Sequence, residues 1–153
     1  MRHAVSLLSF CLLVFVSTPL SAAEEKRPAA SQFELPAWFK TSFLDLRDDI
    51  VTAAGQRKRL VVYVGQDGCP YCRELMQNNF SQPHIVDYTR KHFDVLAINM
   101  WGDADVTDTD GAVLSEKAFA VKHGIRYTPT LLFYGEDGKT VLRLNGYFPP
   151  HQF

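Results

Sequence analysis

The sequence has little sulfur that could react. Its 153 residues include three cysteines. Cys11 lies inside an apolar N-terminal run, so Cys69 and Cys72 are the pair available for chemistry. With no second Cys pair, a zinc site of the usual four ligands has no obvious donor set. A site of two Cys and two His is conceivable with His84 and His92, but their eight-residue spacing matches no familiar finger. Haem attachment needs a histidine directly after the second cysteine, and Arg73 stands there. A purely structural disulfide across two residues is a poor staple, because the loop it closes is tiny. The formal net charge is −1, which gives no electrostatic case for nucleic acid. The apolar run from Ala4 to Val16 is short for a membrane span. The chain has no internal repeat and no low-complexity segment.

What remains is Gly68-Cys69-Pro70-Tyr71-Cys72. It follows the apolar run Leu60-Val61-Val62-Tyr63-Val64 and precedes the helical pattern Arg73-Glu74-Leu75-Met76. A Cys-x-x-Cys at the end of a strand, opening a helix, reads as a thiol–disulfide redox motif. The unpaired N–H groups of a helix N-terminus favour negative charge and so favour the thiolate of the first cysteine. Pro70 suits the first helical position, where its missing N–H removes no intrahelical bond.

Further along, Gly124-Ile125-Arg126-Tyr127-Thr128-Pro129-Thr130 leads into Leu131-Leu132-Phe133-Tyr134. A turn, Glu136-Asp137-Gly138-Lys139, then leads to Thr140-Val141-Leu142-Arg143-Leu144 and Gly146. Together with the Cys motif, this pattern resembles the thioredoxin superfamily from about Phe39 to Tyr147. Within the superfamily it looks most similar to periplasmic thioredoxin-related proteins of the sulfur-oxidation (Sox) type. The resemblance implies an α/β fold with a mixed central sheet flanked by helices. It also implies a cis peptide bond before Pro129, with the Thr128 backbone pairing to a bound peptide as a short strand. Cys69 and Cys72 are then the catalytic dithiol, Thr128 and Pro129 the substrate-binding residues, and Pro70 and Tyr71 the redox-tuning dipeptide. No cofactor and no metal are implied.

The sequence departs from the family pattern in three places. Tyr63 stands six residues before Cys69, where thioredoxins usually bury an aspartate. Gly68 replaces the usual tryptophan before the first cysteine. Pro70-Tyr71 is the dipeptide typical of glutaredoxins, so a glutathione-linked reductase is a rival reading. A non-catalytic metal chaperone using both thiolates, with His84 near in sequence, is a second rival. The leading expectation is a reductase or isomerase of protein disulfides, supplied by a membrane electron donor.

The remaining elements follow from periodicity and punctuation. Residues 24–36 carry charge, alanine and proline, and read as a flexible lead to a domain over 37–153. Ser42-x-x-Asp45 resembles a capping box, with Phe43, Leu46, Ile50 and Ala54 on one helical face and Gly55 as the stop. Arg57-Lys58-Arg59 reads as a solvated turn. Leu75, Met76 and Phe80 continue an apolar stripe, and Pro83 restarts a helix to His92 with Ile85 and Tyr88 inward. Phe93 to Asn99 suits a buried parallel strand. Met100 to Gly111 holds four aspartates, but an EF-hand register puts Val106 first and Lys117 last, so that template fails. The segment reads as a solvated acidic loop, with Trp101 either packed or shaping a substrate groove. Leu114, Ala118 and Val121 mark a helix closed by Gly124. His84, His92, His123 and His151 read as surface or cap residues. After the last strand only Tyr147 to Phe153 remain, so the domain is expected to lack a final helix and to leave apolar sheet surface open.

Arg2, the apolar run and Ser21-Ala22-Ala23 have the layout of a secretory signal peptide over 1–23. Cleavage removes Cys11, leaving a single Cys pair in a compartment where disulfides persist. The mature protein is expected to be soluble and periplasmic or otherwise exported. Mass spectrometry of that protein should find Glu24 at the N-terminus. Finding Met1 intact in the cytosol would contradict this.

Overall fold

In the strand β1 (Arg59–Gly65) every residue after Arg59 is buried, because both faces of the strand are covered. Leu60, Val62 and Val64 point to one layer, and Val61 and Tyr63 to the other. Burying each such side chain contributes on the order of 1.5–3 kcal/mol, which is why this stretch reads as an unbroken apolar run. The computed structural model describes residues 35–153. The expected signal peptide, and the lead up to residue 34, lie outside the described residues.

The chain runs α1 (Leu46–Gly55), β1, α2 (Pro70–Glu74), a π-helical turn (Leu75–Asn79) and α3 (Pro83–His92). There follow β2 (Phe93–Asn99), β3 (Asp105–Thr107), β4 (Val113–Ser115), α4 (Glu116–Lys122), β5 (Thr130–Tyr134) and β6 (Thr140–Asn145). The main sheet has the order β2-β1-β5-β6. β2 is parallel to β1, with Arg59 opposite Phe93 and Gly65 opposite Asn99, while β5 and β6 are antiparallel. Strands β3 and β4 form a separate hairpin. This is the expected mixed α/β sheet flanked by helices. One core layer gathers Leu46, Ile50, Leu96, Ile98, Val106, Phe119 and Leu132. The other gathers Leu75, Phe80, Val95 and Leu131, with Trp38 and Phe39 packed against them. The rings of Trp38, Phe39 and Phe80 meet edge to face.

Five local expectations are corrected. The capping box is absent: Asp45 itself caps α1, accepting from the Arg47 and Asp48 N–H groups, while Ser42 Oγ donates to Asp49. The buried face of α1 is Leu46, Asp49, Ile50 and Ala53, and Phe43 is fully exposed. Tyr88 on α3 faces solvent, and so does Val121, because the inward positions of α4 are Glu116, Phe119 and Ala120. Leu114 belongs to β4, not to a helix. The basic run is not simply solvated: Lys58 Nζ lies 3.0 Å from Asp94 and Arg59 2.5 Å from Glu136.

The acidic segment differs most from expectation. It folds into the β3–β4 hairpin, and Asp108 is buried at its tip. Lys122 Nζ lies 2.6 Å from Asp108 Oδ2, His123 Nε2 2.9 Å from it, and the Thr109 N–H donates to Oδ1 at 2.7 Å. The same lysine reaches Asp110 at 2.6 Å. These bonds tie the hairpin tip to the end of α4, where His123 is the C-cap, one of the places the sequence allowed it, and also partners a buried carboxylate. Gly124 closes α4 as expected, at φ +59°, and Ile125 folds back with its N–H on the Ala120 carbonyl at 2.8 Å. Gly138, at φ +75°, sits in the turn between β5 and β6.

Among the described residues no helix follows β6. Phe153 turns back so that its ring meets Phe80 at 5.6 Å, and a groove of about 550 Å³ remains between α3 and the sheet, lined by Ile85, Leu131, Phe133, Leu142 and Leu144 among others.

Asp108 gives this region a pH dependence whose sign is fixed. Burial pushes its carboxyl up, but the bonds from Lys122, His123 and Thr109 outweigh that and hold it below the usual aspartate range. Its contribution is therefore fully present above about pH 4, where an unfolded aspartate ionises, and is lost as pH falls through the lowered folded value. Asp108→Asn should cost about 1.5–3 kcal/mol at pH 7 in urea unfolding, and the gap to wild type should shrink in acid. A gap independent of pH would contradict the ionic role.

Candidate active site

The Cys motif sits where β1 ends. After Gly65 the chain turns through Gln66 and Asp67 to Gly68, whose φ of +70° is one that glycine adopts without a Cβ penalty. Cys69 then caps α2, and the Cys72 N–H points at its Sγ from 3.1 Å. Pro70 occupies the first helical position, as the sequence implies. One turn of helix brings the two Cα atoms to 5.3 Å and the sulfurs to bonding distance, so the pair is a disulfide.

The two sulfurs differ in access. Cys69 is 7% exposed and Cys72 is fully enclosed. A partner approaching from solvent meets the Cys69 residue alone.

A second segment closes over Cys69 from the start of β5. The Thr128–Pro129 bond is cis, the isomer implied by the resemblance. Thr128 Oγ1 lies 3.3 Å from Cys69 Sγ and the Thr128 carbonyl oxygen 3.4 Å from it. In the reduced protein this places one donor, the hydroxyl, and one acceptor, the carbonyl, beside the same sulfur. Thr130 Oγ1 donates to the Tyr127 carbonyl at 2.7 Å and the Gly146 N–H to the Pro129 carbonyl at 2.7 Å, which fix the segment against β6. Cys69, Cys72, Thr128, Pro129, Pro70 and Tyr71 thus come together, and Tyr71 is exposed between the cysteines.

Other candidates do not join them. His84 lines the apolar groove under the sheet, and the His92 ring stacks near Tyr88 at 4.6 Å. Among the described residues no group of three or more His, Cys, Asp and Glu side chains could hold a metal ion. Tyr63, where the family pattern has a buried carboxylate, is itself fully buried. Burial pushes its phenol far above the ordinary tyrosine value, so at neutral pH it stays protonated and is no base.

Sequence reasoning missed two features of this end of the sheet. Trp101 is not packed: its Nε1–H donates to Gln66 Oε1 at 2.5 Å while the ring stays open to solvent. Glu116 is nearly buried, accepting from the Asn99 N–H at 2.8 Å, and a Cβ at Gly102 would strike its carboxylate. Neither contact has a local sequence signal, since the partners lie 35 and 17 residues apart.

A mixed sheet that ends its central strand in a Cys pair of unequal access, opposite a cis X–Pro segment, defines a thiol–disulfide oxidoreductase of thioredoxin-like fold. Residues 46–153 match the thioredoxin-like domain family, and the chain belongs to it. No curated protein sequence matches the chain closely. Among solved structures it is similar to a thioredoxin-fold protein from Helicobacter pylori, with 26% identity, a TM-score of 0.51 and coverage of 61% of this chain and 62% of that one. A thioredoxin from Thermus thermophilus shares 21% identity at a TM-score of 0.52, covering 68% of this chain and 75% of its own. A DsbH oxidoreductase shares the fold at 12% identity and a TM-score of 0.53, covering 82% and 84%. Among the described residues no helix is long and apolar enough to cross a membrane.

Proposed function

We propose that this protein is an exported dithiol oxidoreductase that reduces or isomerises protein disulfides in the periplasm, of the Sox-associated type. The observation that carries the reading is the asymmetry of the pair: Cys69 keeps a small exposure of 7% beside the Thr128–Pro129 segment, while Cys72 is fully enclosed. In the reduced protein the Cys69 thiolate attacks one sulfur of a substrate disulfide, forming a mixed disulfide and releasing the other as a thiolate. Cys72, deprotonated, then attacks Cys69 Sγ. The second substrate thiolate leaves and the protein is left with the Cys69–Cys72 disulfide. Two electrons have passed to the substrate, and two must be returned to the pair, a task assigned to a membrane electron donor.

The Cys72 N–H and the Thr128 hydroxyl are placed to stabilise negative charge on Cys69. The Thr128–Pro129 segment offers its backbone to an extended peptide. Export rests on the sequence layout of residues 1–23.

With dithiothreitol as electron source, the protein should reduce insulin disulfides. Cys69→Ser should fall to the uncatalysed rate, and Cys72→Ser should accumulate mixed disulfides visible on a non-reducing gel. Activity persisting in Cys69→Ser would refute the assignment of roles. Turnover driven by glutathione as well as by dithiothreitol would move the protein to the glutaredoxin-like reading suggested by Pro70-Tyr71.

A further inference from the structure

The loop after β2 is built onto the approach to Cys69. The Met100 N–H donates to the Gly65 carbonyl at 2.7 Å, which sets Trp101 beside Gln66, three residues before the nucleophile. The loop is pinned from both sides. The Trp101 N–H donates to Asn99 Oδ1 at 3.0 Å, the Gly102 N–H to the Asn99 carbonyl at 3.0 Å, and the Lys117 N–H to the Gly102 carbonyl at 3.0 Å. The indole is fixed as well as the backbone. Its N–H is held by Gln66 Oε1, and Lys117 Nζ stands over the ring at 5.8 Å from the centroid.

Even so, Trp101 is 57% exposed. A large apolar side chain held still in solvent gains nothing for the fold from that exposure, whereas a partner that covers it loses little conformational entropy in doing so. With its N–H already satisfied, what the indole offers a partner is an apolar face. Tyr127, next to Thr128, brings a second exposed aromatic to the same end of the sheet. Gly68 has no side chain with which to cover Cys69.

We propose that Trp101 is a specificity-determining residue that packs against the polypeptide flanking the disulfide attacked by Cys69, favouring aromatic and apolar side chains there. This rests on the oxidoreductase reading above and names the substrate class of that site. The occupant is the substrate's own chain, because the platform is continuous with the residues that hold the nucleophile. A rigid aromatic that meets an aromatic partner side chain adds binding beyond the area it covers.

The test compares kcat/KM, with dithiothreitol as electron source, for three disulfides: a peptide with phenylalanine beside each cysteine, the same peptide with glycine there, and bis(2-hydroxyethyl) disulfide. Wild type should prefer the phenylalanine peptide. In Trp101→Ala that preference, taken as the ratio to the hydroxyethyl disulfide, should fall about tenfold, mainly through KM. Trp101→Phe should recover most of it, and Gln66→Ala, which frees the indole, should show a smaller loss of the same kind. A preference unchanged in Trp101→Ala, or an equal slowing of all three substrates, would overturn the proposal. A wild type inert even toward the hydroxyethyl disulfide would remove the oxidoreductase reading, and this inference with it.

Discussion

Strand β1 has to be covered on both faces, and the rest of the molecule is arranged to do so. Its parallel partner β2 and antiparallel partner β5 satisfy its backbone, while α1 and α4 lie with one layer and the α2 to α3 segment with the other. A strand this enclosed has one free direction, along its axis, and the Cys motif is placed there. The start of β5 and the loop after β2 reach the same end, because β5 begins opposite Val64 and Asn99 sits opposite Gly65. The fold thus delivers three segments to one spot without any of them being near in sequence.

At that spot the physical chemistry is one of unequal access. The first turn of α2 curls Cys72 back under Cys69, so Cys69 is the residue of the pair that keeps any exposure, and Thr128 adds a hydroxyl beside it. Tyr63 fills with a neutral phenol the place where the family pattern has a buried aspartate.

The sheet and the Cys pair were legible because their signals are local. The run Leu60 to Val64, the Cys-x-x-Cys with Pro70 at the helix start, and Gly124 and Gly138 at the turns each carry their own steric or hydrophobic reason. Strand β2 was readable from Phe93 to Asn99 for the same reason. The hairpin from Asp105 to Ser115 was not. Aspartates usually mark solvated loops, and only the arrival of Lys122 and His123 from α4 makes burial of Asp108 affordable. Ser42 offers the same capping chemistry three residues before Asp45, so the sequence alone does not distinguish which of the two caps α1. Trp101 could not be placed, since its exposure depends on Gln66, 35 residues away.

The central claim is that Cys69 alone is presented for reaction. The most direct measurement is limited alkylation of the reduced, native protein with iodoacetamide, followed by peptide mapping of the modified sulfur. The account predicts that Cys69 is modified first and that Cys72 reacts only after unfolding. Cys72 reacting first, or both reacting at the same rate in the folded protein, would contradict it.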